Sequence, residues 1–163
     1  MIKRPPLFAI LLTAAGLLPF IAGAVLSFAG KGETIPADGS YPLMVGQDGI
    51  GILCTYGLVI FSYMCGCFWG FASKAPNPNK PLPYIIAVLP ALYAFFYIGR
   101  SLLAQAQHGD VLLHLTVGFT ALLVLDFWYQ KINLAPAWWM TLRVPVTCVV
   151  VLCLSLGSFS LTT

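Results

Sequence analysis

Residues 52–73 read ILCTYGLVIFSYMCGCFWGFAS, a continuous stretch without a charged side chain. A helix needs about 20 residues to cross the hydrocarbon core of a bilayer, so this stretch is long enough to span one. Ser62, Gly66 and Gly70 recur in it at intervals of four residues, which on a helix form one narrow stripe. We call these three residues the small-residue stripe. Because such stripes allow close helix packing, we expect residues 52–73 to form the central helix, with the other spans packed on the stripe and Trp69 anchoring that contact.

The small-residue stripe has a second interpretation. In a transporter or channel, the small side chains of Ser62, Gly66 and Gly70 would instead line a pore or a substrate groove. Close packing of helices is the commoner use of such spacing, and it is the interpretation we adopt for the stripe.

The composition of the whole chain indicates a membrane protein. Of the 163 residues, 60% are apolar and 8% are charged, whereas a typical soluble domain has about 25% charged residues. A soluble domain of this size could not bury so much apolar surface. The net charge of +3 is scattered along the chain, which argues against a nucleic-acid partner. We therefore expect an all-α, polytopic membrane helix bundle that forms a single transmembrane domain over residues 1–163.

Four more apolar runs accompany residues 52–73, which gives five expected spans. The first run exceeds the apolar core of a signal peptide, which has about 7–15 residues, so we expect it to be retained as a span. Pro19 and Pro90 should kink the first and third spans, because proline removes a backbone hydrogen bond from a helix. The further spans are expected at about residues 7–29, 84–103, 111–129 and 138–159.

The charges near the span ends predict the orientation. With the amino terminus inside, the inner segments hold most of the basic residues, and the outer segments collect acidic ones. Loops on the cytoplasmic side carry an excess of lysine and arginine, so the sequence predicts the amino terminus inside and the carboxyl terminus outside. The outer loop at residues 31–48 is the expected contact surface on that side. The inner residues are Lys3, Arg4, Lys74, Lys80, Lys131 and Arg143, and the outer ones are Lys31, Arg100, Glu33, Asp38, Asp48 and Asp110.

Asp126 and Arg143 are the two charged residues expected within spans. Both should lie ~7–8 Å inside the inner boundary, on consecutive antiparallel helices joined by a short turn. Ionisable groups within a membrane are usually paired or functional, and we expect a structural ion pair between these two. Two alternatives remain: a proton- or ion-handling site, and an Arg143 side chain that reaches lipid phosphate while Asp126 is satisfied elsewhere.

No motif in the sequence indicates catalysis or a cofactor. Haem of the b type needs two histidines facing each other across helices, but only His114 is expected within a span and His108 lies in a loop. Cys65 and Cys67 point ~200° apart on a helix and cannot share one metal ion. No phosphate-binding glycine loop, zinc-protease motif or serine elbow occurs. We expect no enzymatic activity, cofactor, bound metal or soluble substrate.

Two segments resemble a known family. They are residues 56–70, YGLVIFSYMCGCFWG, and residues 137–147, AWWMTLRVPVT, with Pro19 and Asp126 in matching places. The family comprises small five-span membrane proteins of unknown function from proteobacterial inner membranes, and it includes the mitochondrial transmembrane protein 69. It usually carries histidine where this chain has Phe68, so no role of that imidazole is expected here. The resemblance implies an inner-membrane location and brings no activity.

Three functions are consistent with these observations to different degrees. The first is a non-catalytic accessory or assembly subunit that packs against a larger membrane complex, with lipids and other integral membrane subunits as partners. The family's mitochondrial branch suggests, by analogy, a respiratory or other energy-converting complex. The alternative is a small oligomeric transporter or channel that uses Asp126 or Ser62 along a polar path, although few polar residues are expected inside the spans. A membrane enzyme acting on lipid or quinone has the least support.

Overall fold

The structure, a computed structural model, describes residues 4–29, 46–77, 79, 81–100 and 108–162. Within these residues the chain is helical and has no strand, which confirms the predicted all-α class. Five helical segments in the described residues are long and apolar enough to cross a membrane, so the chain is a multi-pass membrane protein. The helices are α1 (Leu7–Leu26), α2 (Gly46–Ala72), α3 (Leu82–Tyr93), which continues as a π-helical segment (Ala94–Gly99), α4 (His108–Lys131) and α5 (Trp139–Ser160).

The helix ends follow prolines and polar residues. α3 begins directly after Pro81 and has Pro83 in its first turn, where proline's fixed φ suits a helix start. α2 begins at Gly46, earlier than the expected residue 52, and Asp48 lies in its first turn, where an acidic side chain interacts favourably with the helix dipole. α3 contains Pro90, and α-helical hydrogen bonding gives way to the π-helical segment shortly after it. Residues 101–103 of the expected third span, and residues 31–45 of the expected contact loop, lie outside the described residues.

A short turn joins α4 to α5 and makes them neighbours. Asn133 has a φ of 60°, the left-handed conformation that commonly ends a helix. The amide of Leu134 then donates to the carbonyl of Tyr129, and the amide of Trp139 donates to the carbonyl of Pro136 at 2.9 Å. The chain thereby reverses within a few residues, and α5 returns along α4.

α2 is the central helix and contacts every other helix of the bundle. Its contact with α1 is a backbone contact: a Cβ atom added to Gly49 would lie 2.5 Å from Ser27 N and 2.7 Å from Gly23 O. Small residues at such crossings let transmembrane helices approach closely. Three further glycines make room for a side chain of a neighbouring helix: Gly57 for Leu115, Gly118 for Phe61, and Gly157 for Leu53.

α1 packs firmly only along its second half. All the buried residues of α1 follow Pro19, and before Pro19 the contact with the bundle continues only to Gly16. The Tyr56 hydroxyl donates to Gly16 O at 2.9 Å, whereas Leu12, one turn earlier, is 73% exposed. The first half of α1 therefore borders the bundle loosely and leaves a cavity beside α5. The buried residues of α1 are Phe20, Gly23 and Ala24.

Candidate functional site

Asp126 of α4 and Arg143 of α5 lie against each other inside the bundle. Arg143 Nε donates to Asp126 Oδ2 at 2.7 Å, and Trp139 Nε1 donates to Asp126 Oδ1 at 2.6 Å. Asp126 is 0% exposed and Arg143 is 5% exposed. Trp139 and Arg143 are four residues apart on α5, which places them on one face of the helix. Each carboxylate oxygen therefore has a donor from the neighbouring helix.

This ion pair clamps α4 to α5. In a low-dielectric interior, two opposite charges are stable only when they stay paired and hydrogen-bonded, and removing one partner typically costs about 3–5 kcal/mol. Ionisable groups at membrane depth follow the same rule. Because both oxygens of Asp126 already accept hydrogen bonds, the carboxylate needs no further ligand.

An aromatic cluster, defined here as Phe68, Phe71, Tyr129 and Trp139, surrounds the pair. The ring of Phe68 stacks on that of Tyr129, with centroids 5.1 Å apart and planes 8° apart. Phe71 meets Trp139 edge to face at 5.0 Å, and the Tyr129 hydroxyl donates to Pro83 O at 2.6 Å. The cluster thus ties α2, α3, α4 and α5 together and fixes the Trp139 ring that serves Asp126. Phe68 is a fully buried core residue.

Two buried polar atoms next to the pair have no hydrogen-bond partner in the described part of the chain. They are Arg143 Nη2 and Thr147 Oγ1, and Thr147 is 3% exposed. Thr55 and Thr116 each donate their hydroxyl to the carbonyl four residues earlier, but Thr147 makes no such bond. A buried polar group without a partner costs about 1–3 kcal/mol, and native proteins retain few of them. These two atoms mark the place where a ligand would be recognised.

Both atoms belong to residues that line a cavity of about 340 Å³ between α1, α2 and α5. Most of its wall is apolar, and Phe119 of α4 also lines it. Leu12 also lines the cavity and is 73% exposed, so the cavity reaches the outer surface of the bundle beside α1. The apolar lining includes Leu17, Phe20, Ile60, Met64, Leu142, Val146 and Val150.

The small-residue stripe lies on the outside of the bundle. Ser62, Gly66 and Gly70 are all exposed, and a Cβ atom added to Gly66 or Gly70 would meet nothing within 4 Å in the described residues. The expectation that other spans of this chain pack on the stripe is therefore corrected. α2 packs instead through the face that carries bulky side chains such as Phe61. Trp69 is exposed, and it packs edge to face on Tyr84 of α3 at 5.2 Å.

Comparison with known families agrees with this architecture. A family model described as a protein of unknown function, DUF3429, matches residues 5–159. The chain belongs to the DUF3429 family. This confirms the resemblance to a membrane protein family of unknown function, and the match spans the stripe, the ion pair and the cavity. Comparisons with curated proteins and with solved structures give no match.

The histidines and cysteines of this DUF3429 chain lie apart from the cavity. His114 Nδ1 is 2.6 Å from Asp110 O, and its ring stacks on Tyr97 at 5.8 Å, so contacts within the protein hold it. His108 is exposed at the start of α4. All five cysteines are free thiols. In the part of the chain that the structure describes, no three metal-binding side chains come together.

Sequence reasoning found Asp126 and Arg143 but missed Trp139, Thr147 and the cavity. A signal was present in this DUF3429 sequence, because Trp139, Arg143 and Thr147 recur at intervals of four residues. On a helix they form one face with an indole N–H, a guanidinium and a hydroxyl. Three donors on one face of an apolar span indicate an acceptor opposite them.

Proposed function

We propose that this DUF3429 protein is a non-catalytic accessory or assembly subunit of a larger membrane complex, such as a respiratory or other energy-converting one. The observation that supports this role is the exposed small-residue stripe on α2, which faces away from the rest of the bundle. In the proposal, a transmembrane helix of another integral membrane subunit packs along the stripe. Close van der Waals packing on small residues is a common basis of such association.

The glycines of α2 support a partner on the stripe. Glycine in a helix interior costs about 1 kcal/mol relative to alanine. At Gly49 close contact with α1 offsets this cost, because an added Cβ atom would collide with the backbone of that helix. At Gly66 and Gly70 the described chain supplies no such contact. A partner helix would supply it in the same way.

The shape of the surface also fits a helix. Helical geometry of 3.6 residues per turn places Tyr63 on one side of the stripe and Trp69 on the other. Both rings are exposed, so they flank a shallow groove floored by Ser62, Gly66 and Gly70. A helix seated in this groove would contact the small residues with its backbone and the two rings with its side chains.

The proposed location is the bacterial inner membrane, with the amino terminus in the cytoplasm and the carboxyl terminus outside. The supporting observation is the excess of lysine and arginine at the span ends on one side, since positive residues are retained on the cytoplasmic side. Arg4, Lys74 and Lys131 belong to the proposed inner side, and Asp110 to the outer side.

Site-specific photocrosslinking in the native membrane tests the accessory role. Val59 lies one turn before the stripe on the same side of α2 and is 62% exposed, and Val124 on α4 is 65% exposed. Each is replaced separately by a photoreactive phenylalanine in the full-length protein. We expect an adduct with another integral membrane protein from position 59 and none from position 124. An adduct with a second copy, or no protein adduct at all, would contradict the proposal and in the first case favour a small oligomer.

A matched pair of variants links the adduct to the stripe. Gly66→Leu with Gly70→Leu fills the groove, whereas Ala121→Leu introduces a leucine side chain at an exposed position of α4. The double variant should lose the adduct and migrate as a smaller species on native electrophoresis. Ala121→Leu should retain both properties. An adduct that survives the double variant would show that the stripe is not the docking face.

A further inference from the structure

We propose that the cavity between α1, α2 and α5 binds a lipid-soluble molecule through a carbonyl group, whose oxygen accepts hydrogen bonds from Arg143 Nη2 and Thr147 Oγ1. The proposal does not depend on the docking role of the stripe, which lies on the outer face of α2. It depends on two buried donors without partners in the described residues, which belong to two residues that line one cavity.

The chemistry of the donors sets the kind of atom that they bind. A guanidinium N–H can only donate, and a hydroxyl can donate one proton. Arg143 and Thr147 are four residues apart on α5 and line the same cavity wall. Both side chains are at least nine-tenths buried. Bulk water therefore does not replace the missing hydrogen-bond partner. The matching ligand atom is an acceptor that can receive two hydrogen bonds, as a carbonyl oxygen can.

The charge balance favours a neutral acceptor over an anion. Asp126 lies 2.7 Å from Arg143 Nε and already neutralises the guanidinium. A carboxylate or phosphate placed on Nη2 would add a second negative charge beside Asp126, and like charges repel strongly in a low-dielectric interior. A carbonyl oxygen carries only a partial negative charge and avoids this repulsion. The cavity therefore fits a ketone, ester or quinone carbonyl.

The remaining wall accommodates an apolar body. Phe20, Phe119 and Val150 also line the cavity. Its volume of about 340 Å³ lies at the lower end of the ~300–1,000 Å³ typical of small-molecule sites. Leu12, which is exposed at the surface of α1, also lines the cavity. A ligand can thus enter from the bilayer, and two sources supply such a carbonyl: the acyl ester of a neutral lipid and the ring of a quinone.

Tryptophan fluorescence reports on the cavity directly. Trp138 and Trp139 line it, whereas Trp69 and Trp128 do not. In purified full-length protein carrying Trp69→Phe and Trp128→Phe, the remaining emission comes from the two cavity tryptophans. A decyl-substituted benzoquinone is titrated as a quenching probe, and dioctanoylglycerol is then added as a competing ester. Saturable quenching supports the proposal, and displacement by dioctanoylglycerol shows that the ester occupies the same site.

Three variants in this background decide the outcome. Thr147→Val removes the unpartnered hydroxyl and should weaken probe binding about three- to tenfold, as expected for one lost hydrogen bond. Val146→Phe fills the cavity and should abolish saturable quenching. Thr120→Val is the matched control, because the Thr120 hydroxyl is satisfied by Thr116 O outside the cavity, and it should bind like the parent. Equal affinity in parent, Thr147→Val and Val146→Phe, or no saturable binding of either probe to the parent, overturns the proposal.

Discussion

At the scale of single residues, the Asp126 carboxylate determines how α4 and α5 meet. It accepts one hydrogen bond from Arg143 and one from Trp139, both of which belong to α5. The left-handed Asn133 in the turn between the helices brings these partners within reach. Because the carboxylate is fully buried, each of these donors compensates part of a large desolvation cost.

Charge removal at the pair should be non-additive. Asp126→Asn or Arg143→Met alone leaves an unpaired group in the interior and should lower the free energy of unfolding by about 3–5 kcal/mol. The double variant leaves no unpaired charge, so it should accumulate in the membrane better than either single variant and resist heating longer in detergent. The fraction of each variant that stays monodisperse after heating ranks the stability of the single and double variants. A double variant as unstable as the worse single variant would contradict the pairing.

The hydrogen bond from the Trp139 indole can be tested with a matched control at Trp138. Trp139→Phe removes the N–H that Asp126 accepts and should cost about 1.5–3 kcal/mol, the usual contribution of a hydrogen bond to a charged group. Trp138→Phe makes the same chemical change next to it without touching the carboxylate. Thermal denaturation in detergent compares the two, and equal midpoints would show that the indole bond contributes nothing measurable.

At the scale of a single helix, α2 has one face that packs inside the bundle and one face that is exposed. One face, with Gly49 and Gly57, packs closely on α1 and α4. The other face carries the exposed small-residue stripe. Both faces carry glycines in sequence, but the packing face also carries bulky side chains such as Phe61.

Alanine substitution separates these two faces in the isolated protein. Gly49→Ala places a Cβ atom 2.5 Å from Ser27 N, where backbone has to move, so it should destabilise by about 1–3 kcal/mol. Gly66→Ala meets nothing within 4 Å in the described residues and should stabilise by up to about 1 kcal/mol through helix propensity. Thermal midpoints in detergent test the sign of each change. Equal effects at the two positions would mean that the faces are not distinct.

The sequence predicts the elements better than it predicts their faces. Five apolar runs give the five spans, and the turn length with the equal depth of Asp126 and Arg143 brings these two together. Spacing also defines the small-residue stripe, but lipid is as apolar as a protein interior, so hydrophobicity does not tell which face turns inward. Phe61 faces the interior and Ser62, the next residue, faces outward. The cavity could not be predicted from the sequence either, because it arises from the loosely packed first half of α1 rather than from a motif.

At the scale of the whole molecule, the proposed topology relates the two ends of the chain to the cavity. In that topology, five crossings place the two ends on opposite sides of the membrane. The first halves of α1 and α5, which form the cavity wall, then lie in the leaflet on the side of the amino terminus. The cavity and the pair of Asp126 and Arg143 share that leaflet.

The location of the two chain ends is the most direct test of the five-span bundle. Small epitope tags are added to the amino and carboxyl ends of the full-length protein, and protease is applied to intact cells with a permeable outer membrane and to inverted inner-membrane vesicles. With the amino terminus inside and five crossings, the carboxyl tag should be cut only in the intact cells and the amino tag only in the inverted vesicles. Cleavage of both tags from the same side would contradict the five-span bundle.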